Sequence, residues 1–255
     1  MVLETNIYLL ERLGKGMIKQ LTKEQALQFV NYIRENINAN EDVCFEDNGS
    51  SRAVIQFEWD CETYVVKFAG DMQGRRQNQI EMNLWENAGH EGFLAAIRYA
   101  YKDMFIICDY VDVLPFEVGE VAYECEPTYW WSKMVEYGYT YYFNLEEDAS
   151  ITDIEELHEE IYNTVARLED YQGETNDNYQ IGIGGNEFNN QTTKYSIVAY
   201  DYGYSTDVER CEQVGCVENE IHYGNYAASN FFDIELNWIM NDIEYNSEYD
   251  EGEEK

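Results

Sequence analysis

Residues 41–70 constrain the fold most strongly, because they alternate β-branched and aromatic residues around two clusters of turn-forming residues. The run reads EDVCFEDNGSSRAVIQFEWDCETYVVKFAG, and its two clusters are Asp47-Asn48-Gly49-Ser50 and Asp60-Cys61-Glu62. Residues of these types favour turns between strands. We therefore expect three antiparallel strands, at roughly residues 42–46, 52–58 and 63–69.

Three segments have the periodicity and the start signals of helices. They are LTKEQALQFVNYIRENI, NQIEMNLWENAG and ITDIEELHEEIYNTVARLEDYQG. In each, a capping residue is followed three positions later by Glu or Gln, the spacing of a capping box: Thr22 and Gln25, Asn78 and Glu81, Thr152 and Glu155. The third segment also carries an apolar stripe at helical spacing, formed by Ile154, Leu157, Ile161, Val165 and Leu168. A fourth helix is predicted within NFFDIELNWIMNDIEY.

Two short apolar runs predict further strands, MFIICDYV and SIVAYDYGYS. The second strand ends at Asp201. An Asp at the tip of a strand is either a turn former that bonds its own backbone or a ligand held for a cation. Residues 173–190, which precede this strand, are polar and glycine-rich and are expected to form a loop.

The composition is that of a folded, strongly acidic chain. Of its 255 residues, 45% are hydrophobic and 15% are aromatic, and the net charge is -35. A field of this sign repels nucleic acid phosphates, so direct binding of DNA or RNA is not expected. No segment has the length and apolarity of a membrane span, and acids stand where a signal peptide needs a basic start. We expect a cytoplasmic protein whose six cysteines are reduced thiols.

Two explanations of the acidity stay open. The surface could imitate polyanionic nucleic acid and occupy a basic partner, or the acids could only keep the protein in solution. Adaptation to high salt would also favour Asp and Glu over Lys, but the many Asn, Ile, Tyr and Cys residues fit it poorly.

The order of the elements resembles that of the protein-kinase-like fold, and in particular the short, divergent kinase-like proteins of bacteria and their phages. DNGSSRAVIQF resembles the phosphate-covering loop and second strand, and YVVKFAG the third strand with its lysine. QNQIEMNLWENAG resembles the helix that carries the paired glutamate, and DYG the magnesium-binding triplet. The resemblance covers about 170 residues. It implies a two-lobed α+β fold, with a small antiparallel-sheet N-lobe and a reduced, mostly helical C-lobe.

The resemblance also implies a role for each matching residue. Lys67 would contact the α and β phosphates of ATP, and Glu81 would hold its ammonium by an ion pair. Asp201 and Asn186 would bind magnesium, which prefers oxygen ligands. The phosphate-covering loop would be formed by Gly49, Ser50 and Ser51.

The sequence departs from the family pattern in the catalytic loop. The family carries its catalytic Asp five residues before the metal-binding Asn. Here that position relative to Asn186 is Ile181, whose side chain cannot accept a proton. The nearest upstream acid is Asp177, four residues earlier, and it is the candidate catalytic residue. Loss of a positioned acid or base slows a reaction on the order of 10²–10⁴-fold, so phosphotransfer is expected to be weak or lost.

These features together predict four regions and two main classes of function. The regions are an N-terminal helical extension at 1–40, an N-lobe at 41–112, a C-lobe at 113–245 and an acidic tail at 246–255. The first function is a phage-encoded kinase or pseudokinase that binds ATP and magnesium and acts on a host protein. The second is a non-enzymatic acidic inhibitor that blocks a basic, nucleic-acid-binding host protein. A third class, a structural protein of the virion, predicts neither nucleotide binding nor salt-sensitive association.

Overall fold

The computed structural model describes residues 17–36, 43–48, 52–59, 61–115, 125–172, 180–184, 194–202, 236–237 and 239–244. These residues form a six-stranded sheet, a three-stranded sheet and the helices that pack on them. The fold is therefore mixed α+β with mainly antiparallel sheets, which confirms the predicted class. Among the described helices, none combines the length and apolarity needed to cross a membrane.

The larger sheet contains the strands predicted from residues 41–70. Its members are β1 (Lys19–Gln20), β2 (Val43–Asn48), β3 (Arg52–Trp59), β4 (Glu62–Ala69), β5 (Ile97–Tyr101) and β6 (Phe105–Asp109). Their spatial order is β1-β5-β6-β4-β3-β2. Only the β1 and β5 pair is parallel among these neighbours. The three predicted strands are confirmed as β2, β3 and β4, and the MFIICDYV strand as β6, whereas β5 was not predicted.

One face of this sheet packs against α1 (Lys23–Asn36). The side chains of successive strand residues point to opposite faces, and the residues on the α1 side include Ala53, Ile55, Phe57, Val66 and Phe68. The helix begins at the predicted capping box: the Gln25 N–H donates to Thr22 Oγ1 at 3.3 Å, and the Thr22 N–H donates to Gln25 Oε1 at 3.0 Å. Helical residues 236–237 and 239–244 join the same core and lie within the fourth predicted helix.

The opposite face of the sheet packs against α2 (Met72–Ala88). The prediction that Asn78 caps this helix is wrong. The cap is Asp71, whose side chain accepts a hydrogen bond from the Gly74 N–H at 2.7 Å, and Asn78 lies fully buried within the helix. The helix therefore extends more than one turn further toward the N-terminus than its capping-box signal indicates.

The remaining described elements are the smaller sheet, two further α-helices and two 3₁₀ helices, Gly89–Glu91 and Thr140–Phe143. The sheet has the order β7 (Val111–Val113), β8 (Gln180–Gly184) and β9 (Ile197–Tyr200), and all its pairings are antiparallel. The helices are α3 (Pro127–Tyr137) and α4 (Ile151–Gln172). The prediction of β9 is confirmed, as is the buried stripe of α4 formed by Ile154, Leu157, Ile161, Val165 and Leu168.

Two predictions for this part of the chain are wrong. The cap of α4 is Ser150 and not Thr152, because Ser150 Oγ accepts the Asp153 N–H at 3.2 Å. Residues 180–184, within the predicted loop, form β8 instead.

Helix α4 fixes the position of β9. The Glu160 side chain on α4 accepts the backbone N–H groups of Tyr195 and Ile197, each at 3.2 Å to Oε1. On its other side β9 bonds to the segment that follows α2, with the Ala199 N–H donating to the Phe93 carbonyl at 2.8 Å and the Ala95 N–H to the Ala199 carbonyl at 2.9 Å. The end of β9 is thereby held beside the larger sheet.

Candidate functional site

Two cations of the candidate site come from adjacent strands of the larger sheet. In the register of β3 and β4, Val54 lies opposite Lys67. Arg52 precedes Val54 by two residues, so its side chain emerges on the same face as that of Lys67. This face looks toward α2, since the alternate residues of both strands pack against α1. The sheet thus places a guanidinium and an ammonium side by side under a helix.

Helix α2 supplies the polar groups that meet these cations. Its buried face runs at helical spacing through Gln77, Asn78, Glu81, Leu84, Trp85 and Ala88. The apolar half of this face joins the main core, and the polar half lies over the two cations. Asn78 also donates to the carbonyls of Asp103, at 3.0 Å, and Lys67, at 3.4 Å, which ties the helix to the sheet.

Strand β9 supplies Asp201, the residue directly after its end. Asp201 has a φ of 55°, in the left-handed region where Asp is tolerated better than most residues. Its two neighbours are fixed: Tyr202 donates its hydroxyl to the Ala95 carbonyl at 3.1 Å, and the ring of Tyr200 lies 4.2 Å from Lys67 Nζ. A backbone conformation of this kind, held by tertiary contacts, is often found at functional sites.

The four charged side chains form one ion-pair network, which we call the charged tetrad: Arg52, Lys67, Glu81 and Asp201. Lys67 Nζ lies 2.9 Å from Glu81 Oε2 and 3.2 Å from Asp201 Oδ1. Arg52 Nη1 donates to Glu81 Oε1 at 2.5 Å and to Asn78 Oδ1 at 3.2 Å, and Arg52 Nη2 donates to Asp201 Oδ1. Each cation therefore contacts both carboxylates, and the formal charges of the tetrad cancel.

Burial is uneven across the tetrad. The side chains of Lys67 and Glu81 are each 1% exposed and that of Arg52 is 6% exposed, whereas that of Asp201 is 42% exposed. Burial opposes the charge on Lys67, but Glu81 and Asp201 outweigh it and hold the pKa of Lys67 above its usual value. Burial likewise works against the charge on Asp201, but Lys67 and Arg52 outweigh it and lower its pKa. The ion pairs therefore favour the charged forms of Lys67 and Asp201, and the tetrad faces solvent through Asp201.

The structure brings together three of the predicted site residues. Lys67, Glu81 and Asp201 are separated by up to 134 positions in the sequence and meet within hydrogen-bonding distance. The other predicted site residues lie outside the described residues: Gly49, Ser50, Ser51, Asp177 and Asn186. Ile181, which stands at the family position of the catalytic Asp, lies in β8 and is 4% exposed.

Arg52 and Asn78 are the site residues that the sequence analysis missed. A signal for Arg52 was present, because the predicted hairpin places alternate β3 residues on the face of Lys67. Asn78 was assigned to a helix cap, and that assignment concealed its place one turn before Glu81 on the same helical face.

The donor chemistry of the tetrad fits phosphate groups. Guanidinium and ammonium groups are the side chains that bind phosphate best, and here they converge beside an exposed carboxylate. A divalent cation fits less well. Within the described part of the chain no three His, Cys, Asp or Glu side chains are grouped to hold a metal, and Asp201 Oδ1 already accepts from both cations.

The network predicts a large effect of neutralising Glu81. Glu81→Gln leaves two buried cations facing one carboxylate, so we expect the free energy of unfolding to fall by about 3–5 kcal/mol. Glu86→Gln, on the exposed side of α2, should change it by less than about 0.5 kcal/mol. Urea denaturation of both variants measures the difference, and equal effects would contradict the network.

Comparison with known proteins assigns no family to this geometry. No family model matches the chain, and no curated protein sequence matches it. The resemblance to the kinase-like fold stays a prediction from the motifs in the sequence.

Proposed function

We propose that the chain is a kinase-like nucleotide-binding protein, phage-encoded, that acts on a host protein and has weak or lost phosphotransfer. The observation that carries the proposal is the contact of Lys67 with both Glu81 and Asp201. The order of these residues along the chain and the elements that carry them, a central strand, the next helix and the end of a later strand, match the kinase-like pattern. The two-lobed arrangement of that fold is part of the proposal.

In this proposal Lys67 contacts the phosphates of ATP, and the other charged residues position it. Lys67 supplies a permanent positive charge for the phosphate oxygens, and Glu81 holds the ammonium in place. Asp201 marks the side of the tetrad from which a ligand arrives, because its side chain is the exposed one. Magnesium at Asp201 and Asn186 stays a prediction.

Weak phosphotransfer follows from the catalytic loop. Ile181 is buried in the core and pairs with Ala199 of β9, so no side-chain acid or base stands at that position. Asp177 stays the candidate for proton transfer. A protein of this kind would bind nucleotide and transfer phosphate slowly if at all.

Nucleotide binding should appear as thermal stabilisation. With ATP and magnesium at about 100 times the dissociation constant, binding adds about 2.7 kcal/mol, which raises the Tm by roughly 5–10 °C for a chain of this size. Lys67→Met and Asp201→Asn should each abolish most of that shift. Lys133→Met, which removes a surface pair with Glu136 and the contacts of the ammonium with the rings of Tyr129 and Tyr137, should keep it. Absence of a shift in the intact protein would contradict the proposal.

The alternative function is an acidic inhibitor of a basic, nucleic-acid-binding host protein. It is favoured by the net charge of -35 and by a run of exposed acids before and along the first half of α4. These acids are Glu146, Glu147, Asp148, Glu155, Glu156 and Glu159. Such a surface attracts a basic partner by long-range forces that salt screens.

The two functions differ in their dependence on salt. If the acidic surface drives binding, host proteins retained by the immobilised chain should be ones that bind DNA or RNA. They should dissociate as ionic strength rises above about 0.1 M, where the screening length falls below about 10 Å. Replacing Glu155 and Glu159 by Gln should weaken retention, while Lys67→Met should not. Retention that persists at high salt would contradict this alternative.

A further inference from the structure

The guanidinium of Arg52 lies against Asp201 Oδ1, where a divalent metal ion bound to a nucleotide would have to lie if Asp201 coordinated it. Its Nη2 donates to Asp201 Oδ1, and its Nη1 is held by Glu81 Oε1 at 2.5 Å and by Asn78 Oδ1 at 3.2 Å. The guanidinium is thus oriented from three sides by groups on α2 and at the end of β9. A planar group held in this way cannot turn from Asp201 without breaking its contacts with α2.

Lys67 adds a second positive charge to the same oxygen. Its Nζ lies 3.2 Å from Asp201 Oδ1 while it also contacts Glu81. A divalent cation that coordinated this oxygen would stand beside two unit positive charges, and repulsion at such short range inside a protein is large. Arginine also keeps its charge at every pH at which the protein folds, so deprotonation cannot relieve that repulsion.

We propose that Arg52 replaces the divalent metal at Asp201, and that the site binds the phosphate groups of a nucleoside di- or triphosphate free of metal. This inference rests on the nucleotide binding proposed above. The guanidinium offers planar N–H donors that suit phosphate oxygens, as a bound cation would otherwise do. The ligand reaches the tetrad from the exposed side of Asp201.

The metal-bound and the metal-free nucleotide differ in the charge that they bring to the tetrad. A metal-bound nucleotide brings a divalent cation against Arg52 and Lys67, whereas the free nucleotide brings only phosphate oxygens to them. Replacing Arg52 by a neutral residue removes one positive charge and leaves Asp201 Oδ1 with Lys67 alone. The same change should therefore convert a site that favours the metal-free nucleotide into one that favours the metal-bound form.

The test is a titration with a fluorescent ATP analogue in excess EDTA and in excess magnesium. The intact protein should bind the analogue at least about threefold more tightly with EDTA than with magnesium. Arg52→Gln should bind it at least about tenfold more tightly with magnesium than with EDTA. Arg52→Lys keeps the charge but lacks the planar fork that contacts both carboxylates, so it should show a smaller preference for magnesium. It serves as the second variant if Arg52→Gln does not fold.

Binding by the intact protein that is as tight or tighter with magnesium than with EDTA, or an unchanged preference in both Arg52 variants, would overturn the inference. Failure of every variant to bind the analogue in either condition would instead remove the proposed nucleotide binding on which the inference rests.

Discussion

The buried ion pair between Lys67 and Glu81 is the interaction on which the rest of the site depends. Both side chains are 1% exposed, so each would carry a large desolvation cost without the other. The pair can form only if α2 lies across β4 with Glu81 over the strand. The pair therefore fixes the position of α2 on the sheet, and this position also places Asn78 over Arg52.

The pair of Lys67 and Glu81 is one half of the tetrad. Arg52 adds a second positive charge, and Asp201 adds a second negative charge. Arg52 comes from the strand beside Lys67, and Asp201 comes from the end of β9, held by Glu160 of α4 and by the segment after α2. The tetrad thus links the two sheets through side chains. Its formal charges cancel, and the side chain of Asp201 forms its exposed edge.

Much of this arrangement could be predicted from the sequence, because strong local signals coincide with it. The turn clusters and alternation in residues 41–70 predict three strands, and the order of the motifs predicts that Lys67, Glu81 and Asp201 share one site. The sequence does not mark the start of α2, because the first turns of this helix carry mostly polar residues. Two of these polar residues, Gln77 and Asn78, are buried on the helix face that holds the site. The apolar periodicity that marks a helix begins only at Leu84.

Strand β8 escaped prediction for a related reason. Its sequence is QIGIG, and Gly182 is required because a Cβ there would lie 2.2 Å from Val111 Cγ1 of the neighbouring strand. The two glycines lower the strand propensity of a segment that otherwise carries the β-branched Ile181 and Ile183, and glycine is more typical of loops. The cap of α4 was ambiguous in sequence, because Ser150 with Asp153 and Thr152 with Glu155 have the same spacing. Lys194 and Tyr195 contact Asp153 and favour the earlier start.

The most direct test of the central claim is a double-mutant cycle between Lys67 and Asp201, which lie 134 positions apart in the chain. Unfolding free energies are measured for Lys67→Met, Asp201→Asn and the double variant. If the two residues belong to one buried charge network, the coupling energy should be about 0.5–3 kcal/mol. Additive effects, with no coupling between the two changes, would contradict the convergence of these side chains on one site.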